Sequence, residues 1–167
     1  MNKSAKRVAA GKKSRRKGAG FELQAAKDFQ AWWGKGSFAR SPSSGGWGQK
    51  PVRDDFRACG DVITTAEDFP WVIECKNQEG WTLDQLLLNE KCIIWSWWKQ
   101  VTEETSDGLI PMLVFKKNRQ PPMVMVPEGS YPFSDKYFTV ITEKEVLNIF
   151  ALSDLFKANP DHYRLDR

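Results

Sequence analysis

Cys59-Gly60-Asp61-Val62-Ile63-Thr64, followed across the turn Ala66 to Phe69 by Trp71-Val72-Ile73-Glu74-Cys75-Lys76, is the stretch on which the fold of this chain turns. Both runs are short and rich in β-branched or aromatic residues, which predicts two strands close enough in sequence to pair as a hairpin. Side chains alternate along a strand, so Glu74 and Lys76 project from one face and Cys75 from the other. With Asp61 at the end of the partner strand on that same face, two carboxylates and an ammonium converge where Trp71-Val72-Ile73 enters the core. Two neighbouring carboxylates resist ionising together, and unexplained charge inside a protein is expensive. Asp61 alone, or Glu74 with Lys76 alone, fits a solvated strand face or a surface ion pair. Together they point to a hard divalent cation. Magnesium takes oxygen ligands and keeps several waters, so Asp61, Glu74 and the backbone carbonyl of Cys75 would suffice for one ion. Such an ion would lower the pKa of a bound water and neutralise charge developing on a phosphodiester, with Lys76 orienting the water or stabilising the transition state.

Upstream of the hairpin, Phe21, Ala25, Phe29 and Trp32 or Trp33 recur at three- and four-residue intervals and predict a helix from Phe21, with Glu22 near its start. Glu22 is thereby a further candidate metal ligand, directly or through water. Gly34 and Gly36 end the helix, Ser37 to Arg40 reads as extended, and Ser41 to Pro51 as a Gly/Ser/Pro loop that is mobile without a ligand. Trp47 in that loop either packs locally or stacks on an unpaired base. Downstream, Thr82 with Gln85 forms a capping-box pattern opening a helix from Leu83 to about Val101, the longest expected element. Trp95, Trp97 and Trp98, with Ile93 and Ile94, make it apolar on more than one side, as in a dimer interface or a core helix. Strands are expected at Leu109 to Phe115, Met123 to Val126 and Tyr137 to Ile141, with a turn at Lys117 to Pro122. Thr142 with Glu145 gives a second capping-box pattern and a helix through about Leu152. Alternating helices and strands predict an α/β fold, a central mixed β-sheet flanked by helices.

The 167 residues suffice for one sizeable core, and no apolar run approaches the ~18 residues of a membrane span. The net charge of +4 hides an asymmetry. Residues 1–17 carry Lys3, Lys6, Arg7, Lys12, Lys13, Arg15, Arg16 and Lys17 and no acid, so the remaining 17 basic and 21 acidic residues leave the body at −4. The organisation read from this is a disordered basic arm over 1–17 and a single domain over 18–167. Arm cations bind phosphates through counterion release; Lys116, Lys117 and Arg119 form a second basic cluster that is otherwise a solvated turn. Cys59, Cys75 and Cys92, odd in number and without a secretory segment, suggest a reduced, cytoplasmic setting and buried apolar roles. Zinc does not suit three cysteines without CxxC spacing and one distant His162.

The chain resembles the PD-(D/E)xK nuclease superfamily, with its restriction-endonuclease-like fold, in Gly60-Asp61 followed by Glu74-Cys75-Lys76 and preceded by the helical glutamate of Gly18-Ala19-Gly20-Phe21-Glu22. Within it the similarity is greatest to archaeal-type Holliday junction resolvases (Hjc-like), through Glu22, Arg40, the Ser43-Ser44-Gly45-Gly46 loop, Asp61 and Ile73-Glu74-Cys75-Lys76. It covers roughly residues 18 to 118, with Phe115-Lys116-Lys117 resembling a later strand. Gly60 stands where proline is usual, and the loop between Arg40 and Asp61 is long. The resemblance implies a catalytic set of Glu22, Asp61, Glu74 and Lys76, with magnesium as cofactor and manganese as a substitute. It also implies Arg40 and Ser44 at the scissile phosphate, and a homodimer that nicks a four-way DNA junction symmetrically. Competing expectations are a restriction-type or RecB-like nuclease on the same core, and a catalytically silent DNA-binding or packaging component.

Overall fold

The computed structural model describes residues 3–42, 57, 59–106, 108–130 and 136–165, and of residues 3–10 and 12–14 the backbone alone. The expected hairpin forms: β2 (Val62–Thr64) pairs antiparallel with β3 (Trp71–Asn77), Val62 opposite Ile73. β1 (Phe38–Arg40) adds on the outer side of β2. On the other side β3 runs parallel to β4 (Ile110–Lys116), from Trp71 opposite Ile110 to Asn77 opposite Lys116. Parallel neighbours need a crossover, and α2 (Gln85–Leu88) and α3 (Ile93–Glu104) supply it. β5 (Met123–Pro127), β6 (Tyr137–Ile141) and β7 (Val146–Ala151) complete a seven-stranded mixed sheet in the order β1-β2-β3-β4-β5-β7-β6. With helices on both sides, this is the α/β, restriction-endonuclease-like architecture expected from the sequence.

Alternation sorts the strands onto two cores. Trp71, Ile73, Cys75, Met112 and Val114 pack with Phe21, Ala25, Ala26, Phe29 and Trp33 of α1 (Lys3–Trp33). Val72, Leu113, Phe115 and Met125 pack instead with Ile94, Trp97, Trp98 and Val101 of α3. The α1 side is unusually aromatic. Phe69 lies edge-on to Phe29, Trp33, Phe38 and Trp71 at centroid distances of 5.9, 5.0, 4.9 and 5.3 Å. Such pairs contribute about 0.5–1.5 kcal/mol each beyond area burial, so this cluster sets the angle at which α1 crosses the hairpin. The chain then closes over it with α4 (Leu152–Leu155) and a 3₁₀ turn (Pro160–Tyr163), whose Tyr163 reaches Trp71.

Four expectations need correction. α1 does not begin at Phe21 but runs back to Lys3, through the segment whose composition suggests a disordered arm. Ala, Lys and Arg are good helix formers, and the ~1 kcal/mol that each of Gly18 and Gly20 costs is small beside the packing from Phe21 to Trp33. Glu22 therefore sits deep within this helix, not near its start, and α1 replaces the 83–101 helix as the longest element. That second helix is in fact two, because Asn89 turns extended and its Oδ1 accepts from Lys91 N–H at 3.0 Å, diverting the backbone. Of the two readings of its tryptophans, the core one holds: Trp97 and Trp98 are buried in the core of the same chain, with Trp95 packed against it. Finally, Val146 to Ala151 is strand, not helix. Thr142 Oγ1 accepts from the N–H groups of Lys144 and Glu145, as an N-cap would, but Thr142 N–H donates to Glu145 O at 2.9 Å and closes a β6–β7 hairpin. Val146, Ile149 and Phe150 then favour the pleated surface of β5 over a helix. Ser44 and Trp47 lie outside the described residues.

Candidate active site

The site is built where β2 begins. Gly60 holds φ at +74°, and a Cβ there would stand 2.5 Å from the carbonyl oxygen of Ile73. Only glycine permits both the left-handed backbone and that approach, and proline, fixed near −65°, is excluded. This is the physical reason for the departure from the usual proline. The turn lets Asp61 N–H donate to Ile73 O at 2.7 Å, and Asp61 O accepts from Ser41 N–H at 2.8 Å. Asp61 is thus pinned between β3 and the end of β1. Its own Oδ2 accepts from Cys75 N–H at 2.9 Å, so the carboxylate lies against the backbone of the Glu74-Cys75-Lys76 triplet.

Glu74, 2% exposed, is the most deeply buried acid of the described chain; Asp61 and Glu22 are each 8% exposed. Lys76 is half-buried; its Nζ donates to Glu74 Oε1 and, at 2.9 Å, to Gln100 Oε1 on α3. Glu22, from α1, is held by Arg40 at the end of β1, Nε to Oε2 at 2.5 Å. Burial pushes the Asp61 carboxyl from 3.8 up to about 7; the Glu74 charge adds to this, and the Cys75 N–H opposes it. Burial likewise raises Glu74, against the pull of Lys76. The Cys75 thiol is pushed well up by burial and by the Asp61 and Glu74 charges, which keeps it a neutral core residue.

The chemistry of this donor set fits a divalent cation. Two buried carboxyls whose ionisation is disfavoured by burial, with one ammonium beside them, lack positive charge. Among the described residues no three His, Cys, Asp or Glu side chains are grouped tightly enough to hold a metal ion. Protein ligation would therefore come from Asp61, Glu74 and the Cys75 carbonyl, with water in the other positions, which is how magnesium is commonly held. Of the expected phosphate contacts, Arg40 is at the site on Glu22. Lys116, opposite Asn77, places Nζ 5.3 Å from the Phe21 ring centroid, one residue from Glu22. Lys117 lies 4.8 Å from the Trp81 ring. Arg15, Arg16 and Lys17 are exposed on the stretch of α1 leading to Glu22, and the side chains of Lys12 and Lys13 are outside the described residues. Gln100 was not anticipated from sequence, where its one signal is a polar residue bordering the buried stripe Trp97-Trp98-Val101.

A family model described as "Phage putative PDDEXK endonuclease" matches residues 13–158, a span that contains Glu22, Arg40, Asp61, Glu74, Lys76 and all seven strands. The chain belongs to the phage PDDEXK endonuclease family. Membership agrees with the superfamily resemblance carried by Asp61 and Glu74-Cys75-Lys76, and endonuclease activity is what the family description carries. It does not extend to the junction-resolvase subgroup. Comparison with curated proteins finds no match, and comparison with solved structures finds none. No helix of the chain, among the described residues, is long and apolar enough to cross a membrane.

Proposed function

We propose that the chain is a magnesium-dependent, structure-selective DNA endonuclease that acts as a homodimer and nicks four-way junctions symmetrically. The observation that carries the catalytic part is the burial of Asp61 and Glu74 together with Lys76 on one hairpin, where burial raises both carboxyls and the Glu74 charge raises Asp61 further. Magnesium, or manganese in its place, would be held by Asp61, Glu74 and the Cys75 carbonyl, and would supply charge neutralisation at the scissile phosphate and acidify a water. Lys76 orients the attacking water and faces the charge that develops on the phosphate. Glu22 contributes through water, its carboxylate oriented by Arg40, and Arg40 with Ser44 positions the phosphate. Lys116, Lys117 and the cations of residues 1–17 hold the flanking backbone, as a basic segment attached to one nuclease domain over 18–167.

The junction preference rests on the resolvase resemblance, and the Glu22–Arg40 ion pair supports it by joining two of the residues that carry that resemblance. Edge strand β6 supports the dimer. Tyr137, Phe138 and Ile141 are 59, 66 and 77% exposed, and among the described residues no strand covers its outer edge. Long apolar edges are templates for pairing. The test is cleavage of an end-labelled four-way junction and a linear duplex of the same sequence in magnesium, with nicks mapped on all four strands. Paired symmetric nicks confined to the junction are expected. Equal cleavage of both substrates would replace the resolvase reading with a restriction-type or RecB-like one, and no cleavage of either would leave a DNA-binding component.

A further inference from the structure

Lys76 has two acceptors, and they differ in what else is asked of them. Glu74 is needed for the cation, so its carboxylate is shared once a metal arrives. Among the described residues, the Gln100 carbonyl accepts from Lys76 alone. We propose that Gln100 is a positioning residue that holds the Lys76 ammonium in place from α3 while Glu74 is engaged elsewhere; this rests on the nuclease reading above.

Gln100 Oε1 accepts from Lys76 Nζ at 2.9 Å, and Gln100 Nε2 donates to Glu104 Oε1 at 3.1 Å, one helical turn on. A side-chain amide has a donor end and an acceptor end. The Glu104 carboxylate takes the donor end, so the carbonyl is the end that faces Lys76. The helix itself is anchored under the sheet by Trp97, Trp98 and Val101, which fixes the Gln100 Cα against β3 and β4. Glu74, Lys76, Gln100 and Glu104 therefore form one chain of polar contacts from the hairpin to the opposite layer.

Neutrality is part of the design. Glu104 already raises Glu74 through its charge, and an acid at position 100 with Glu104 retained would add a further charge next to the carboxylates that must receive a cation. An amide supplies an acceptor at the same reach with no net charge. A lysine has much rotamer freedom to lose, so a fixed neutral acceptor preorganises its ammonium at the point where phosphate charge develops.

The test uses the full chain in three forms: parent, Gln100→Met, and the double exchange Gln100→Glu with Glu104→Gln. Methionine keeps the length and removes the acceptor. The exchange restores an acceptor toward Lys76 and a donor at position 104. Gln100→Met should lower kcat about tenfold with KM for DNA and magnesium-induced thermal stabilisation unchanged, and the double exchange should recover most of the loss. In the magnesium-loaded protein labelled with ¹⁵N-lysine, where Glu74 is shared with the cation, the Lys76 ammonium signal, protected in the parent, should broaden into exchange with water in Gln100→Met. Parent-like kcat in Gln100→Met, or a loss carried by KM or thermal stability that the exchange does not recover, overturns the proposal. A parent that cleaves no DNA sinks the nuclease reading instead, and then an unaltered Lys76 signal in Gln100→Met overturns the tether as well.

Discussion

Asp61 and Glu74 are held in a place that suits them poorly as free anions, and this gives predictions that separate catalysis from folding. Asp61→Asn or Glu74→Gln should reduce cleavage by at least about a hundredfold while junction affinity stays within about threefold, measured by single-turnover cleavage and band shift. A parallel loss of binding would count against a catalytic role. Because the Asp61 carboxyl rises from 3.8 to about 7 on folding, the folded chain binds that proton more tightly than the unfolded one. Stability from this group is therefore full below pH 4 and declines as pH rises to about 7, by at most about 1.4 kcal/mol per pH unit. In metal-free protein Asp61→Asn should flatten that decline, and magnesium should raise Tm more at pH 8 than at pH 5, both read by thermal melts. Gly60→Ala should cost about 1–3 kcal/mol, because its methyl meets the Ile73 carbonyl, and should displace Asp61; denaturant melts and the cleavage assay together check it. Asp61, Glu74 and Lys76 were legible because strand alternation needs only local sequence. Gln100 was not, since its partner is 24 residues away and only the crossover brings them together.

At the scale of elements, the hairpin and the strands β4 to β6 were readable from their short β-branched runs, but one polar pattern misled and one polar residue went unread, for the same reason. A threonine or asparagine that satisfies a backbone N–H does so in turns as well as at helix ends. Thr142 closes a hairpin and Asn89 breaks a helix, and only the packing of Val146 to Phe150 on β5, or of Ile93 to Val101 under the sheet, decides between the outcomes. The first half of α1 was misjudged from its charge, although its residues are good helix formers. That half continues the line of the helix that carries Glu22, at 1.5 Å per residue. Deleting residues 1–17 should weaken junction binding and flatten its salt dependence, by up to about seven units of log–log slope for eight cations, with cleavage at saturation little changed. An unaltered slope would remove the segment from the DNA interface.

Among the described residues the molecule has one seven-stranded sheet, with the candidate active site toward one end and the exposed apolar side chains of β6 at the other. If β6 pairs two copies, Ile141→Lys should shift sedimentation from dimer to monomer and turn paired nicks into single ones, leaving each active centre intact; a monomeric parent would end that reading. The order of the strands carries a further consequence. β2 and β3 share one recorded register pair, Val62 with Ile73, whereas β3 meets β4 along seven, with partners 39 residues apart in the chain. A short hairpin with so little pairing of its own is marginal until its long-range neighbour docks. On the ribosome, then, Asp61, Glu74 and Lys76 have all been made while β4 is still inside the exit tunnel. The three side chains are held together stably only once residues 110–116 have emerged and closed the crossover.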